Sequence, residues 1–343
     1  MITELRLSEF KAFRHEAIEL RPLTVFVGEN NSGKSSVLAA LRLMAQTIQG
    51  QDLAIPLAFN GAFGDFGSYR DVVHGNHRGR PIGLGLSVRR TPKAPTYSFD
   101  AEFKYRLQRR EIRLRSCVIK SNRRRLLAVE SSKDGGTARL SHVRNWEVPD
   151  SARGRLGRAV RMFNFIPRAS ADFYTGKATS PEIMATLDRL SDVQMDGMRA
   201  FRALTEALRS VEYIGAMRKA PERTYINTGV AGRLIGADGA NWPAAVALES
   251  SRRGEQDTLP QDWAESAGLA ADIKVSWLSD RHYEIMLQHP ESGEYANIAD
   301  VGQGSSQVLP VVVGGSQLSA GDTFIVEEPE IHLHPRAQAA LGE

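Results

Sequence analysis

The eight residues Gly28-Glu29-Asn30-Asn31-Ser32-Gly33-Lys34-Ser35 spell GxxxxGK[ST], a phosphate-binding loop, and no other feature constrains the chain so tightly. The loop follows the apolar run Leu23-Thr24-Val25-Phe26-Val27, which reads as a buried strand. It precedes Ser36 to Met44, which reads as a helix with one apolar face. Glycines at both ends let the backbone curl, so that several N–H groups converge at the positive end of the new helix. Lys34 is expected to reach the β- and γ-phosphates of a nucleotide, and the Ser35 hydroxyl to complete the shell of a Mg²⁺ ion. Gly28 to Ser36 are therefore the candidate nucleotide cradle. A bare strand-to-helix turn would need neither the lysine nor the hydroxyl.

The rest of the composition is that of a globular protein. With 343 residues, 42% of them hydrophobic and 24% charged, the chain can bury one large domain or two lobes and is not a disordered tract. Its one cysteine, Cys117, excludes an internal disulfide framework. The thiol lies in the apolar run Cys117-Val118-Ile119, so it is expected to be buried and structural. The most apolar stretch, Val308 to Val313, is too short for a membrane span and holds Pro310. The chain opens directly on strand-like Ile2 to Leu7 with no signal peptide, and a cytoplasmic protein is expected.

The net charge is only +4, but it is unevenly spread. Lys104, Arg106, Arg109, Arg110, Arg113, Arg115, Lys120, Arg123, Arg124 and Arg125 share one stretch with a single acid, Glu111. Between Ile82 and Glu130 alternation returns: Tyr97, Phe99, Ala101, Phe103, Tyr105 and Leu107 alternate with polar residues, which predicts an antiparallel meander with one wet, arginine-rich face. Such a face is either a solvated strand surface or a contact for DNA or RNA phosphates. Residues 151–212 read as mainly helical, with Ser180-Pro181-Glu182 as a start signal. Met198, Phe201, Leu204, Leu208 and Val211 form a packing stripe at helical spacing. Strands are expected again at Ile273 to Trp277 and Tyr283 to Leu287.

A phosphate loop needs a partner carboxylate. Thr323-Phe324-Ile325-Val326 reads as a short buried strand that runs into Glu327-Glu328-Pro329-Glu330. Alternate side chains on a strand point oppositely, so Glu327 can hold Mg²⁺ through water while Glu328 polarises the attacking water. The alternative is an inert acidic cap on a strand end. Upstream, Gly302-Gln303-Gly304-Ser305-Ser306-Gln307 is a glycine-serine turn that opens a helix, with Pro310 expected in its first turn. That turn has the chemistry of a second phosphate-facing helix N-terminus.

These three segments, with Glu212 to Arg218, Tyr225 and Gly236-Ala237-Asp238-Gly239, resemble the ABC-type ATPase heads of the RecF, SMC and OLD group. The likeness is nearest to bacterial AAA-family ATPases of the OLD type. It implies an α/β P-loop ABC-type ATPase head, a mixed sheet with an antiparallel β-meander, plus a helical insertion. By that likeness 1–145 is the N-terminal half of the head, 146–267 the mainly helical insertion, and 268–343 a truncated C-terminal half. It also implies a homodimer closed head-to-head on ATP. Gly302, Gly304, Ser305, Ser306 and Gln307 would then face the γ-phosphate held by the partner's loop, and Lys34 and Glu327 would converge on one Mg·ATP. His332 to Pro335 match a segment that communicates between heads.

The function so implied is ATP hydrolysis, with Glu328 and Lys34 as catalytic residues, controlling a separate DNA-linked nuclease or effector in anti-phage defence or repair. The sequence departs from the family in three places. Glu327 stands where most ABC heads carry Asp, Gly67 to Asp71 occupy the place of the glutamine loop, and no switch histidine follows before Glu343. The alternatives left open are a nucleotide-gated binding module without efficient turnover and a P-loop small-molecule kinase.

Overall fold

Period-two alternation builds the largest element of the protein. The computed structural model describes residues 1–131, 138–153, 155–156, 160–169, 180–229, 235–253 and 259–342. They fall into two compact units, Met1–Val211 and Glu212–Glu343.

The first unit begins with the hairpin β1 (Ile2–Phe10) and β2 (Phe13–Glu19), then α1 (Lys34–Gln49). A small hairpin, β3 (Asn60–Gly61) and β4 (Gly64–Asp65), and the single turn α2 (Tyr69–Val72) follow. The expected meander is β5 (Ile82–Val88), β6 (Tyr97–Arg106), β7 (Glu111–Ser121), β8 (Arg124–Ser131), β9 (Ala138–Val143) and β10 (Trp146–Glu147). With β1 and β2 it forms one eight-stranded antiparallel sheet, ordered β10-β9-β8-β7-β6-β5-β1-β2. After α3 (Asp150–Arg153) come β11 (Val160–Phe163), β12 (Ile166–Ala169) and the long helix α4 (Pro181–Arg209).

Sheet and helices close one core. Phe99 and Phe103 of β6, both fully buried, pack on Phe165 at ring separations of 5.2 and 5.8 Å. Cys117 is buried among them and burial pushes its thiol far above the ordinary range, as expected of an inert core group. The start signal of α4 works as read: the Ser180 hydroxyl accepts from the Ile183 N–H at 3.4 Å, Pro181 opens the helix and Glu182 sits in its first turn. Leu204 and Leu208 of its stripe are buried, Phe201 packs on Phe163 at 4.9 Å, and Met198 is at the rim.

One expectation fails in this unit. Leu23 to Val27 form no strand, and Leu23, Val25 and Val27 are 80, 70 and 85% exposed. Apolar composition specifies burial only where another element covers it. Here β2 closes the sheet, and no described strand pairs with this run. The described part of 151–212 is mainly helical as read, through α3 and α4, with the β11–β12 hairpin between them. Asn164 makes that turn possible: it takes φ 54° and donates through Nδ2 to the Asp52 and Ile55 carbonyls at 2.9 and 2.8 Å.

The second unit holds β13 (Val211–Ile214), which opens at the junction, β14 (Tyr225–Ile226), α5 (Trp242–Arg253) and α6 (Leu259–Ser266). The sheet β15 (Asp272–Trp277), β16 (His282–Gln288) and β17 (Tyr295–Asn297) follows, with β15 and β16 where the alternation placed them. Next come α7 (Gln303–Ser316), β18 (Thr323–Val326) and α8 (Pro335–Gly342), and β18 pairs with β13. Ile214, Trp242, Tyr283, Ile285, Leu309 and Val313 are central to its core. The segment 146–267 thus contributes β10–β12, α3 and α4 to the first unit, and β13, β14, α5 and α6 to the second.

Pro310 is not in the first turn of α7 but well inside it. The proline removes one helical donor there, and it fits because Gly239 lies opposite: a Cβ at 239 would stand 2.7 Å from the Pro310 Cβ. Among the described residues no helix is long and apolar enough to cross a membrane.

Candidate functional site

The phosphate loop leads into α1 through Gly33, which caps the helix at φ 100°. A side chain there would be strained, and its Cβ would sit 3.1 Å from the Phe13 ring, so glycine is required. The N–H groups of Ser36 and Val37 already share the Gly33 carbonyl at 2.9 and 3.2 Å, which starts the helix. Lys34 folds its ammonium back over the loop, donating to the Gly28 and Glu29 carbonyls at 2.6 and 2.8 Å. The Ser32 N–H turns to Glu29 O at 3.2 Å, and Asn31 takes φ 66°. Gly28, Glu29, Asn30, Asn31, Ser32 and Ser35 are exposed, while Gly33, Lys34 and Ser36 are half-buried.

These residues fit a polyphosphate. A helix of 16 residues points its N-terminus at an exposed loop, and no acid in its first turn neutralises that end. A single ammonium crosses the mouth of the loop, and the Ser35 hydroxyl beside it is a hard oxygen donor suited to Mg²⁺. The segment at the place of the family's glutamine loop is structural: Asp71 Oδ2 accepts from both the N–H and the hydroxyl of Ser68 at 2.7 Å, capping α2.

In the second unit the acidic strand end is built with care. The Glu327 N–H donates to Ile214 O at 3.0 Å, which carries the β13 contact one residue past β18. The Tyr213 hydroxyl donates to Glu327 Oε1 at 3.2 Å. Arg218, 92% buried, donates from Nη2 to the carbonyls of Glu327 at 2.8 Å and Glu328 at 3.1 Å. Burial pulls the Arg218 guanidinium below its ordinary value, against the charges of Glu330 and Glu328, which favour it. Its Nε and Nη1 are buried without a hydrogen-bond partner among the described residues. Glu328 itself takes φ 45°, a conformation side chains avoid, which turns its carboxylate off the line of β18.

The turn before α7 is held from behind. Arg223 grips Asp300 through two bonds of 2.8 and 2.6 Å, and this pairing holds the Asp300 carboxyl below its usual range. Gly302 and Gln303 are exposed, Gly304 and Gln307 half-buried, and Ser305 and Ser306 buried. The Ser306 hydroxyl donates to Gln303 O at 2.9 Å, so its bonding turns inward. Gly304 has to be glycine: a Cβ there would lie 2.9 Å from the carbonyl of His332. The structure thereby brings the turn against the segment that follows the paired acids. Among the described residues no three His, Cys, Asp or Glu side chains gather as a metal site.

Of the candidate residues, Gly28 to Ser36 lie in the first unit, and Gly302 to Gln307, Glu327 and Glu328 in the second. The sequence pointed to the segment Glu212 to Arg218 without giving Tyr213 or Arg218 a task. The signal was there in the charge: an arginine four residues beyond a four-residue buried strand needs acceptors, and the acidic strand end has them.

Part of the arginine-rich stretch is paired: Arg106, Arg113, Arg115 and Lys120 meet acids of β6 and β7. Asp100 takes Arg6 and Lys120, each at 2.6 Å, Glu111 takes Arg113 at 2.7 Å, Glu102 takes Arg115 at 3.3 Å, and Glu4 also binds Arg6. Exposed arginines remain at the two hairpin ends, Arg109 and Arg110 at one and Arg123 to Arg125 at the other.

No curated protein matches the chain in sequence. A family model does, over residues 23–343, the span that begins with the run into the phosphate loop and ends after the paired acids. The chain belongs to the P-loop ATPase family described as "AAA domain, putative AbiEii toxin, Type IV TA system".

Proposed function

We propose that this AAA domain is an OLD- or RecF-like ATPase that binds Mg·ATP, closes as a head-to-head homodimer, and controls a DNA-linked effector, such as a separate nuclease, in anti-phage defence or repair. ATP with Mg²⁺ supplies the transferable phosphoryl group and the neutralising charge when bound. Lys34 binds the β- and γ-phosphates, the N–H groups of Gly28 to Ser36 cradle them, and the Ser35 hydroxyl is a ligand to the metal. Glu327, oriented by the Tyr213 hydroxyl, is the water-mediated metal carboxylate. Glu328 takes the proton of the attacking water. The exposed Gly302–Gln303 end of α7 is the surface offered to the partner protomer.

The observation that carries this reading is the Arg218 and Tyr213 framework. A merely solvated acidic cap would not be served by a buried arginine on two successive carbonyls and a tyrosine on one carboxylate oxygen. The Gly302–Gln307 turn and the place of Glu328 directly after Glu327 weigh against a small-molecule kinase, which requires neither.

The test is nucleotide binding by Lys34→Ala, followed with a fluorescent ATP analogue, beside phosphate release by the unaltered protein. Loss of binding in the variant and ATP-dependent phosphate release in the parent are expected. Undiminished binding by the variant would overturn the loop assignment. Phosphate that appears on an organic acceptor rather than in solution would make the protein a kinase.

A further inference from the structure

A basic cleft opens beside the β6–β7 turn, lined by residues other than those of the phosphate loop. The segment Asn76–Arg80, the first turn of α2 and the β6–β7 turn line an open cleft of about 610 Å³, with Arg70, His77, Arg78, Arg80, Asn76 and Leu107 at its wall. No carboxylate lines it. Arg80 is tied to Glu9 at 3.0 Å, but Arg70 forms no ion pair among the described residues, and Arg78 lies over the Tyr105 ring at 5.9 Å. Tyr105 is itself stacked on buried Tyr69 at 5.6 Å, so that ring is a fixed platform. Arg109 and Arg110 extend the positive charge along the adjoining turn.

We propose that this cleft is where the protein holds the sugar–phosphate backbone of a nucleic acid. The inference deepens the DNA-linked reading above and rests on it, and it moves the contact from the face of the meander to one end. On the face Arg106, Arg113, Arg115 and Lys120 are paired with acids, whereas the cleft collects guanidinium forks that match phosphate oxygens in pairs. Leu107, 65% exposed, adds an apolar wall against which a sugar can lie, a feature a bare polyphosphate or an acidic side chain would not use. The cleft is open rather than enclosed, which suits a continuous strand. It also lies at the phosphate-loop end of the sheet: Phe10 pairs with Phe13, whose ring abuts Gly33, and Ile82 pairs with Phe103 near the same edge. The exposed arginines of the opposite hairpin end, Arg123 to Arg125, are at the far end of β7, eleven residues long and so about 34 Å away.

The experiment is anisotropy of a fluorescent oligonucleotide with the full chain, across a salt series. The comparison is among the parent, Arg70→Ala/Arg78→Ala, Arg109→Ala/Arg110→Ala and Arg124→Ala/Arg125→Ala. All six side chains are at the surface, and thermal melts check that each variant folds. The cleft variant is expected to bind tenfold or more weakly (about one log unit), with a log–log salt slope shallower by about 0.9 for each phosphate it no longer neutralises. The Arg109/Arg110 variant should weaken binding less, and the far-end variant should match the parent. If the far-end variant alone loses binding, the cleft is wrong while the nucleic-acid reading stands. If the parent binds no oligonucleotide at low salt, both fail. Equal capture of polyglutamate would overturn the assignment of the cleft to nucleic acid.

Discussion

The buried guanidinium of Arg218 holds the carbonyl oxygen of Glu328 at 3.1 Å, on a residue whose backbone sits at φ 45°. The bond is made to the main chain and leaves the carboxylate of Glu328 available for chemistry. Arg218 is therefore a positioning residue. Arg218→Lys keeps the charge but not the fork, and Arg218→Ala loses both. The expected outcome is a fall in kcat of about 10- to 100-fold with KM for ATP nearly unchanged, the lysine variant falling less. A rise in KM at constant kcat would show that Arg218 serves binding instead.

Glu328→Gln keeps the size and the backbone conformation while removing the basic oxygen. Hydrolysis is expected to drop by about 10²–10⁴-fold, with nucleotide affinity retained. Phosphate release and equilibrium binding, measured on the same preparation, check it. Turnover that survives would mean the base lies elsewhere.

Gly302 caps α7 at φ −56°, and a Cβ there meets nothing within 4 Å. Asp at this position would fit and would favour the helix, since acids suit N-caps. If this end approaches a nucleotide on a second protomer, the new negative charge repels its phosphates. Gly302→Asp should abolish ATP-dependent dimerisation in light scattering while each protomer still binds nucleotide. A dimer that forms as before would remove the turn from the interface.

Asp100 carries a pH dependence. Burial alone would raise its pKa, but hydrogen bonds and charge from Lys120 and Arg6 outweigh it and hold the folded value below 3.8. A depressed carboxyl adds stability above its unfolded pKa and loses it as pH falls through the folded one. Asp100→Asn should therefore cost about 1–2 kcal/mol near neutrality, a figure held down by its partial exposure. The gap from the parent should close as pH falls through the lowered folded pKa. Urea melts at neutral and acid pH check this, and a gap that stays constant would point to packing rather than charge.

The parts legible in the sequence are those with local causes. Gly33-Lys34-Ser35 before an apolar helix, Ser180-Pro181-Glu182 at a helix start and the alternation of β6 are each set by neighbours a few residues away. Leu23 to Val27 misled because burial of a strand depends on which strand lies beside it, and that is a property of topology. Pro310 misled for a similar reason: what tolerates it is Gly239, distant in sequence. The arginine face looked bare in a stretch whose one acid is Glu111, but β6 supplies Asp100 to Lys120 and Glu102 to Arg115 across the sheet. Arg218 was hardest to read, because its partners are main-chain carbonyls, which every residue possesses.

The cross-strand ion pairs of the meander give ionic strength two unequal jobs. Part-buried charges held onto their neighbours at hydrogen-bonding range are screened less than free surface charges, so added salt should cost the sheet little beside what it costs a bound polyanion. The arginines beyond the strand ends lack that shelter, and anything they attract is released as counterions compete. One titration with potassium chloride should thus peel partners from the protein long before it troubles the fold.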